Sequence, residues 1–283
     1  MSATEGEKFL KAFHSKHPGC TSQTMSSGLN IDGKSSYDLL TDVVPRDTTQ
    51  SLTVLDLACG DGFLLSLLQR RNQPRLRLIG IDMSDGELAL ARQRLSPPIE
   101  LHQGMAQTIP LSDASVDIVL CHMALMLMDS VENVITEIKR VLKPGGKFSA
   151  VVGGKRQRTS TNDIFIALLN EALKSEGNLV LPSLGDSRVR QDEGTRSLFS
   201  SGFEQPITLD EHVITVNGSL DLATKFFMLY YDSELLSPNG RRALGQNLRE
   251  SLEQVTDEKD RVACAMGLRQ ITCTKVLETP HAR

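Results

Sequence analysis

The sequence predicts an α/β protein: a parallel sheet, doubly wound, with helices on both faces. Three observations carry that reading. Between residues 52 and 153, short apolar runs rich in β-branched residues alternate with helical patterns. The first run leads directly into a glycine-rich turn, Cys59-Gly60-Asp61-Gly62, and then a helix. The second run ends on an acid, Asp82.

The elements follow in order. Residues 1–50 are polar and mixed, with a helix over Glu5–His14. His17-Pro18-Gly19-Cys20-Thr21-Ser22 reads as a breaker cluster, and residues 35–40 open a second helix. Leu52–Leu57 is the first strand, and Phe63–Leu68 the helix after it. Leu76–Asp82 is the second strand. Ser84-x-x-Glu87 has the capping-box form and opens a helix with Leu88, Ala91 and Leu95 on one face. Ile99–Gln103 and Val116–Cys121 are the third and fourth strands. Asp129-x-x-Glu132 caps the next helix, whose stripe is Val131, Val134, Ile135, Ile138, Val141 and Leu142. Lys143-Pro144-Gly145-Gly146 stops it, and Lys147–Val152 is the fifth strand. Beyond that, 161–174 is helical, 177–195 a loop, Pro206–Val216 a strand, 219–260 mostly helical, and Met266–Leu277 a final strand. The chain therefore divides into a helical lid over 1–50, a core over 51–153, and helical cover insertions with terminal strands over 154–283. The last part forms one domain with the core.

Composition narrows the function. The chain has 283 residues, 40% apolar and 23% charged, enough to build a core without disulfides. A net charge of −4 and only 4% aromatics argue against a nucleic-acid binder, which needs basic surface or stacking platforms. The five cysteines form no C-x-x-C pair, so no metal site is expected. The N-terminus lacks a basic segment followed by an apolar one. The longest apolar stretch, Ile118–Met128, is interrupted by His122 and falls short of the roughly 20 residues of a membrane span. The expectation is a cytoplasmic monomer or homodimer that acts on a small molecule, without nucleic acid or membrane partners.

The chemistry concentrates at the glycine turn. Gly60 and Gly62 let a ligand approach the backbone, and the helix that follows offers free N–H groups to an anion. Asp82 can accept two hydrogen bonds from ribose hydroxyls. A nucleoside-containing ligand across the carboxyl ends of the strands fits this pattern. In this setting the sequence resembles the class I S-adenosylmethionine-dependent methyltransferases, and within them the UbiE-like small-molecule group. The matching residues are VLDLACGDG (54–62), GIDMS (80–84), GMAQTIPLSDASVDIV (104–119) and RVLKPGGKF (140–148).

The resemblance implies a Rossmann-like, mostly parallel seven-stranded sheet with an antiparallel last strand. The implied cofactor is S-adenosylmethionine, with S-adenosylhomocysteine as product. Asp56, Ala58, Cys59 and the Gly60/Gly62 loop would hold the methionine portion. Asp82 would bind the ribose, Met83 would pack on adenine, Ala106 would offer backbone to the adenine edge, and His122 would line the floor near the sulfonium. One departure is Met105, where the group carries an acid toward the adenine amino group; Met can only pack there. A dinucleotide-binding dehydrogenase shares the Gly-x-Gly turn and the later acid, but Leu65 stands at its third glycine position.

If the acceptor must lose a proton, a histidine is the side chain suited to take it. His122 is placed for this, the alternative being a pocket wall. His14 and His17 lie in the lid, as bases or as plain surface residues. Tyr37, Arg156, Phe227 and Tyr231 are candidate substrate contacts, against helix packing or a solvated loop. A helix N-terminus beside Cys59 lowers a thiol pKa, yet Cys59 is read as a small packing residue. The expected function is methyl transfer to an O, N or C atom of a metabolite in a biosynthetic pathway. The alternatives are a non-methylating binding protein or cyclase on the same fold, and an RNA or protein methyltransferase. With so few aromatics, the substrate should be gripped by shape and a few polar groups.

Overall fold

A computed structural model describes residues 4–46 and 49–277. Strands β1 (Leu52–Leu57), β2 (Leu76–Asp82), β3 (Glu100–Gln103), β4 (Val116–His122), β5 (Leu142–Gly153), β6 (Thr208–Ser219) and β7 (Arg261–Thr274) form one sheet. Their order is β3-β2-β1-β4-β5-β7-β6. The first five pair in parallel, whereas β7 pairs antiparallel with both β5 and β6. The last strand alone thus runs against the others, and β6 forms the edge.

The strands are apolar on both faces because both are covered. Val54, Leu78, Ile118 and Leu120 point into one layer with α3 (Ser36–Thr41), α4 (Phe63–Gln69), α5 (Asp85–Arg94), α7 (Ser160–Ser175), α9 (Leu220–Met228) and α10 (Pro238–Glu253). Leu55, Leu57, Ile79, Ile81 and Val119 point into the other, against α6 (Val131–Val141) and the phenylalanines after α8 (Asp192–Leu198). The α6 stripe, Val131, Val134, Ile135, Ile138 and Val141, is entirely buried. Among the described residues no helix is long and apolar enough to cross a membrane.

Several local expectations shift, each for a tertiary reason. The helix α1 (Glu5–Lys16) begins in a complete capping box between Thr4 and Glu7. The breaker cluster is instead the start of α2 (Cys20–Met25), entered through Gly19 at φ +72°. Asp129 and Glu132 do not cap α6; its first flanking residue is Ser130 at φ +51°, without a side-chain cap. Asp129 accepts from the Thr4 hydroxyl and Glu132 pairs with Arg188, so both acids serve contacts remote in sequence. The loop expected over 177–195 contains the start of α8, where the buried Thr195 hydroxyl donates to Val189 O at 3.0 Å. The helix expected to reach residue 260 stops at Glu253. Asp257 Oδ1 accepts from the backbone N–H groups of Lys259 and Arg261 at 2.8 and 2.9 Å, and turns the chain into β7 five residues early.

Candidate active site

The chain leaves β1 for β2 on one side and later places β4 on the other. A crevice opens at such a switch point, outside the carboxyl ends of the strands. A cavity of about 1070 Å³, partly open to solvent, occupies it.

The turn after β1 forms its floor. Ala58, Gly60 and Gly62 take φ values of +60°, +53° and +74°. A Cβ on Gly62 would lie 2.8 Å from Leu95 and 3.2 Å from Ala91, so only glycine lets this turn seat against α5. At Gly60 the nearest atom to a Cβ would be a Glu87 carboxylate oxygen at 3.7 Å, which leaves the backbone facing open space. Cys59 packs over Gly80 and is buried. Burial foremost, then the nearby Asp56 and Asp82, push its thiol well up, against the helix-end effect. It is an inert packing group.

Asp82, at the end of β2, is held by the backbone. Its Oδ2 accepts from Gly60 N–H and its Oδ1 from Ser84 N–H, each at 2.8 Å. Each oxygen retains a further lone pair. Burial raises its pKa, with these two bonds working in the opposite direction. Asp56, at the end of β1, differs. It is 1% exposed and neither carboxylate oxygen has a hydrogen-bond partner. Burial, then Asp82 and Asp61, push its pKa well above the ordinary value. Asp61 is compensated by the Ser22 hydroxyl at 2.5 Å and by Arg94 at 2.6 Å.

The α1 helix is tied to this floor through one carboxylate. Glu87 is the third residue of α5 and carries the E of S-x-x-E. Its backbone N–H reaches Ser84 Oγ at 3.4 Å, but its side chain does not complete the box. Glu87 Oε2 accepts from Gly19 N–H at 2.9 Å, and Oε1 faces His14 Nδ1 at 3.0 Å. His14 Nε2 lies 3.3 Å from the Tyr231 hydroxyl. Burial works to lower the His14 pKa, but the bonds to Cys20 and Glu87 outweigh it and hold the imidazole well above its usual range. Facing a carboxylate, His14 Nδ1 is the donor of that pair.

Further along the cavity stand Met83, Met105, Ala106 and Gln107. Gln107 Nε2 donates to Asp129 O at 2.7 Å and to Glu7 at 3.2 Å, which fixes the amide orientation. Its Oε1 is left buried without a partner. His122, the last residue of β4, bonds Ser36 Oγ through Nε2 at 2.9 Å and stacks on Tyr37 at 3.8 Å. Burial pulls its pKa down to about 3. It is a neutral wall, poorly matched to a base working near pH 7.

The expected cofactor residues Asp56, Ala58, Cys59, Gly60, Asp82 and Met83 all line this one cavity, with Met105, Ala106 and His122. Gly62 supports the turn from behind. His14, Tyr37 and Tyr231 also reach it. Three candidates do not. His17 turns to Glu234 at 3.0 Å. Arg156 is exposed and pairs with Asp163 at 2.8 Å. Phe227 is 1% exposed and stacks on Phe165 at 4.8 Å, because the helical period turns it into the core. Glu87 and Gln107 were not legible as site residues: the first reads as a local cap, and the second lies within the 104–119 match without a role assigned to it there.

Fold and cavity define a doubly wound α/β protein with a pocket at its switch point. Residues 55–150, about a third of the chain, match the methyltransferase-domain family, and the same stretch is similar to methyltransferases of quinone biosynthesis. A demethylmenaquinone methyltransferase of Symbiobacterium thermophilum is 36% identical over 107 residues, 36% of this chain and 43% of that protein. The ubiquinone/menaquinone biosynthesis C-methyltransferase UbiE of Campylobacter jejuni is 26% identical and covers 55% of this chain and 72% of its own. The chain spans about half or less of several such relatives, 43% and 52% in two cases. Among solved structures, the [4+2]-cyclase SpnF superposes with a TM-score of 0.59 at 18% identity, covering 98% of both chains. A Haemonchus contortus phosphoethanolamine N-methyltransferase gives 0.57 at 15%, covering 97% of this chain and 61% of its own. At these identities the likeness is one of fold.

Proposed function

We propose that the protein transfers a methyl group from S-adenosylmethionine to a small metabolite. The observation that carries this reading is Asp56: a buried carboxylate with no partner, lining the cavity at the carboxyl ends of the strands. Burying a charge is costly unless it is paired, so this site suits a ligand that brings a cation. S-Adenosylmethionine carries an ammonium and a sulfonium, and when bound it supplies an activated methyl group.

Asp56, with the Gly60 turn, would hold the methionine end. The free lone pairs of Asp82 would accept from the ribose. Met83 and Met105 would pack on the base, and Gln107 Oε1 would take the acceptor role that Met105 cannot fill. The chain's own contribution is mainly to bind, orient and exclude water. Neither histidine at the cavity is suited to remove a proton: His122 is held neutral and weakly basic, and both ring nitrogens of His14 are engaged, by Glu87 and Tyr231.

The test is calorimetric titration with S-adenosylmethionine, followed by transfer of its labelled methyl group to a metabolite extract. Saturable binding and a labelled small molecule are expected. No heat at millimolar ligand would overturn the cofactor reading; label appearing only in protein or RNA would overturn the substrate class. Gln107→Leu should weaken S-adenosylhomocysteine binding by about threefold to tenfold, the loss of one hydrogen bond. An unchanged affinity would remove Gln107 from the base-binding set.

A further inference from the structure

A second cavity, about 750 Å³, adjoins the first. The two share Thr21, Met123, Leu127 and Tyr231 as lining. Met123, directly after β4, is held at φ +54°, a backbone state that costs a non-glycine residue energy and persists only where the surroundings enforce it. Its N–H donates to Val151 O at 2.7 Å, which enforces it here. This places one flexible apolar side chain on the boundary between the two spaces.

The chemistry of the second cavity is unlike that of the first. Met25, Met126 and Met266 line it with Phe13, Phe226 and Leu229. No lysine, arginine or histidine is among its described lining residues, and the one carboxylate is Asp232. An anionic ligand would find no cation there and would meet a like charge. Methionine surfaces adapt to flat or branched apolar shapes. Of its polar lining residues, Thr21, Thr24, Tyr230, Tyr231 and Asp232, only Thr21 and Tyr231 are common to both cavities among the described residues. His14 Nε2 sits 3.3 Å from the Tyr231 hydroxyl oxygen.

We propose that the second cavity is the acceptor chamber and takes an uncharged, mainly apolar small molecule, with Thr21 and Tyr231 at the boundary to the first cavity. The assignment rests on the cofactor reading of the first cavity. It excludes phosphorylated and other anionic acceptors, for which the second cavity offers no lysine, arginine or histidine among its described lining residues.

The chain contains no tryptophan, so the fluorescence of a naphthol can be read against a dark background. The experiment titrates 2-naphthol and 2-naphthyl phosphate into the full chain, with and without S-adenosylhomocysteine, whose own binding is followed by calorimetry. Saturable binding of 2-naphthol and about tenfold or weaker binding of the phosphate are expected. Met266→Lys and, separately, Leu229→Lys should weaken 2-naphthol by about tenfold or more, because each puts an ammonium into the chamber. Their S-adenosylhomocysteine affinity should stay within about twofold, which also reports that they fold. Equal or tighter binding of the phosphate would overturn the proposal, as would absent 2-naphthol binding or an unchanged 2-naphthol affinity in both folded variants. Failure of the wild type to bind S-adenosylhomocysteine would overturn the cofactor reading instead, and the two results are read independently.

Discussion

Asp56→Asn is expected to raise the thermal midpoint of the ligand-free protein and to cut S-adenosylhomocysteine affinity by about a hundredfold. Both effects have one cause. In the free protein the Asp56 carboxylate is buried, unpartnered and close to Asp82 and Asp61. Replacing it with a neutral amide of the same shape removes a destabilising charge; a gain of about 1 kcal/mol corresponds to roughly 2–4 °C in a chain of this size. With ligand present, the variant leaves the incoming ammonium without its buried counter-charge, a loss of about 3 kcal/mol. The pH dependence has a definite sign. The folded pKa of Asp56 is raised, so its penalty is absent below the unfolded value of 3.8 and grows as pH rises toward and through the folded value. The gain in midpoint should therefore be seen at pH 8 and vanish at pH 4. Differential scanning calorimetry and ligand titration on the same preparation check both. A variant that binds S-adenosylhomocysteine like the wild type would remove Asp56 from the cofactor site.

His122→Gln should flatten the acid limb of the stability curve. His122 titrates at about 3 in the folded protein against 6.5 unfolded, with burial as the cause. A depressed folded pKa contributes stability that is fully present above 6.5 and is lost as pH falls toward 3. Each unit is worth about 1.4 kcal/mol, so between pH 6.5 and 4 the wild type should lose about 3 kcal/mol more than the variant. Glutamine keeps an acceptor for the Ser36 hydroxyl, whose bond to His122 Nε2 is 2.9 Å. Urea unfolding at a series of pH values measures the difference, and parallel curves would mean that His122 is not held neutral by its surroundings.

The parallel core was legible because β1, β2, β4 and α6 are specified by patterns confined to a few neighbouring residues. The glycine turn and Asp82 were legible for the same reason. What the local patterns could not show was which acids are claimed by distant partners. Ser84-x-x-Glu87 and Asp129-x-x-Glu132 have the same form, yet Glu87 is taken by Gly19 and His14, and Asp129 by Thr4. A helix start can be read in sequence; the competition for its carboxylate is settled in three dimensions. The same holds for Phe226 and Phe227. Adjacent in sequence and both buried, they part company because one lines the second cavity and the other stacks on Phe165.

The position of β7 between β5 and β6 has a temporal side. β5 bonds to β4 along one edge and to β7 along the other, and β7 follows it only after more than a hundred residues. During synthesis, β1 to β5 are available to pair well before β7 emerges, with the free edge of β5 unpaired in the interval. Phe226, Tyr231 and Met266 arrive in that later stretch. All described lining residues of the first cavity except Tyr231 thus precede β6, whereas the second at that stage still lacks Phe226, Leu229, Tyr230, Tyr231, Asp232 and Met266.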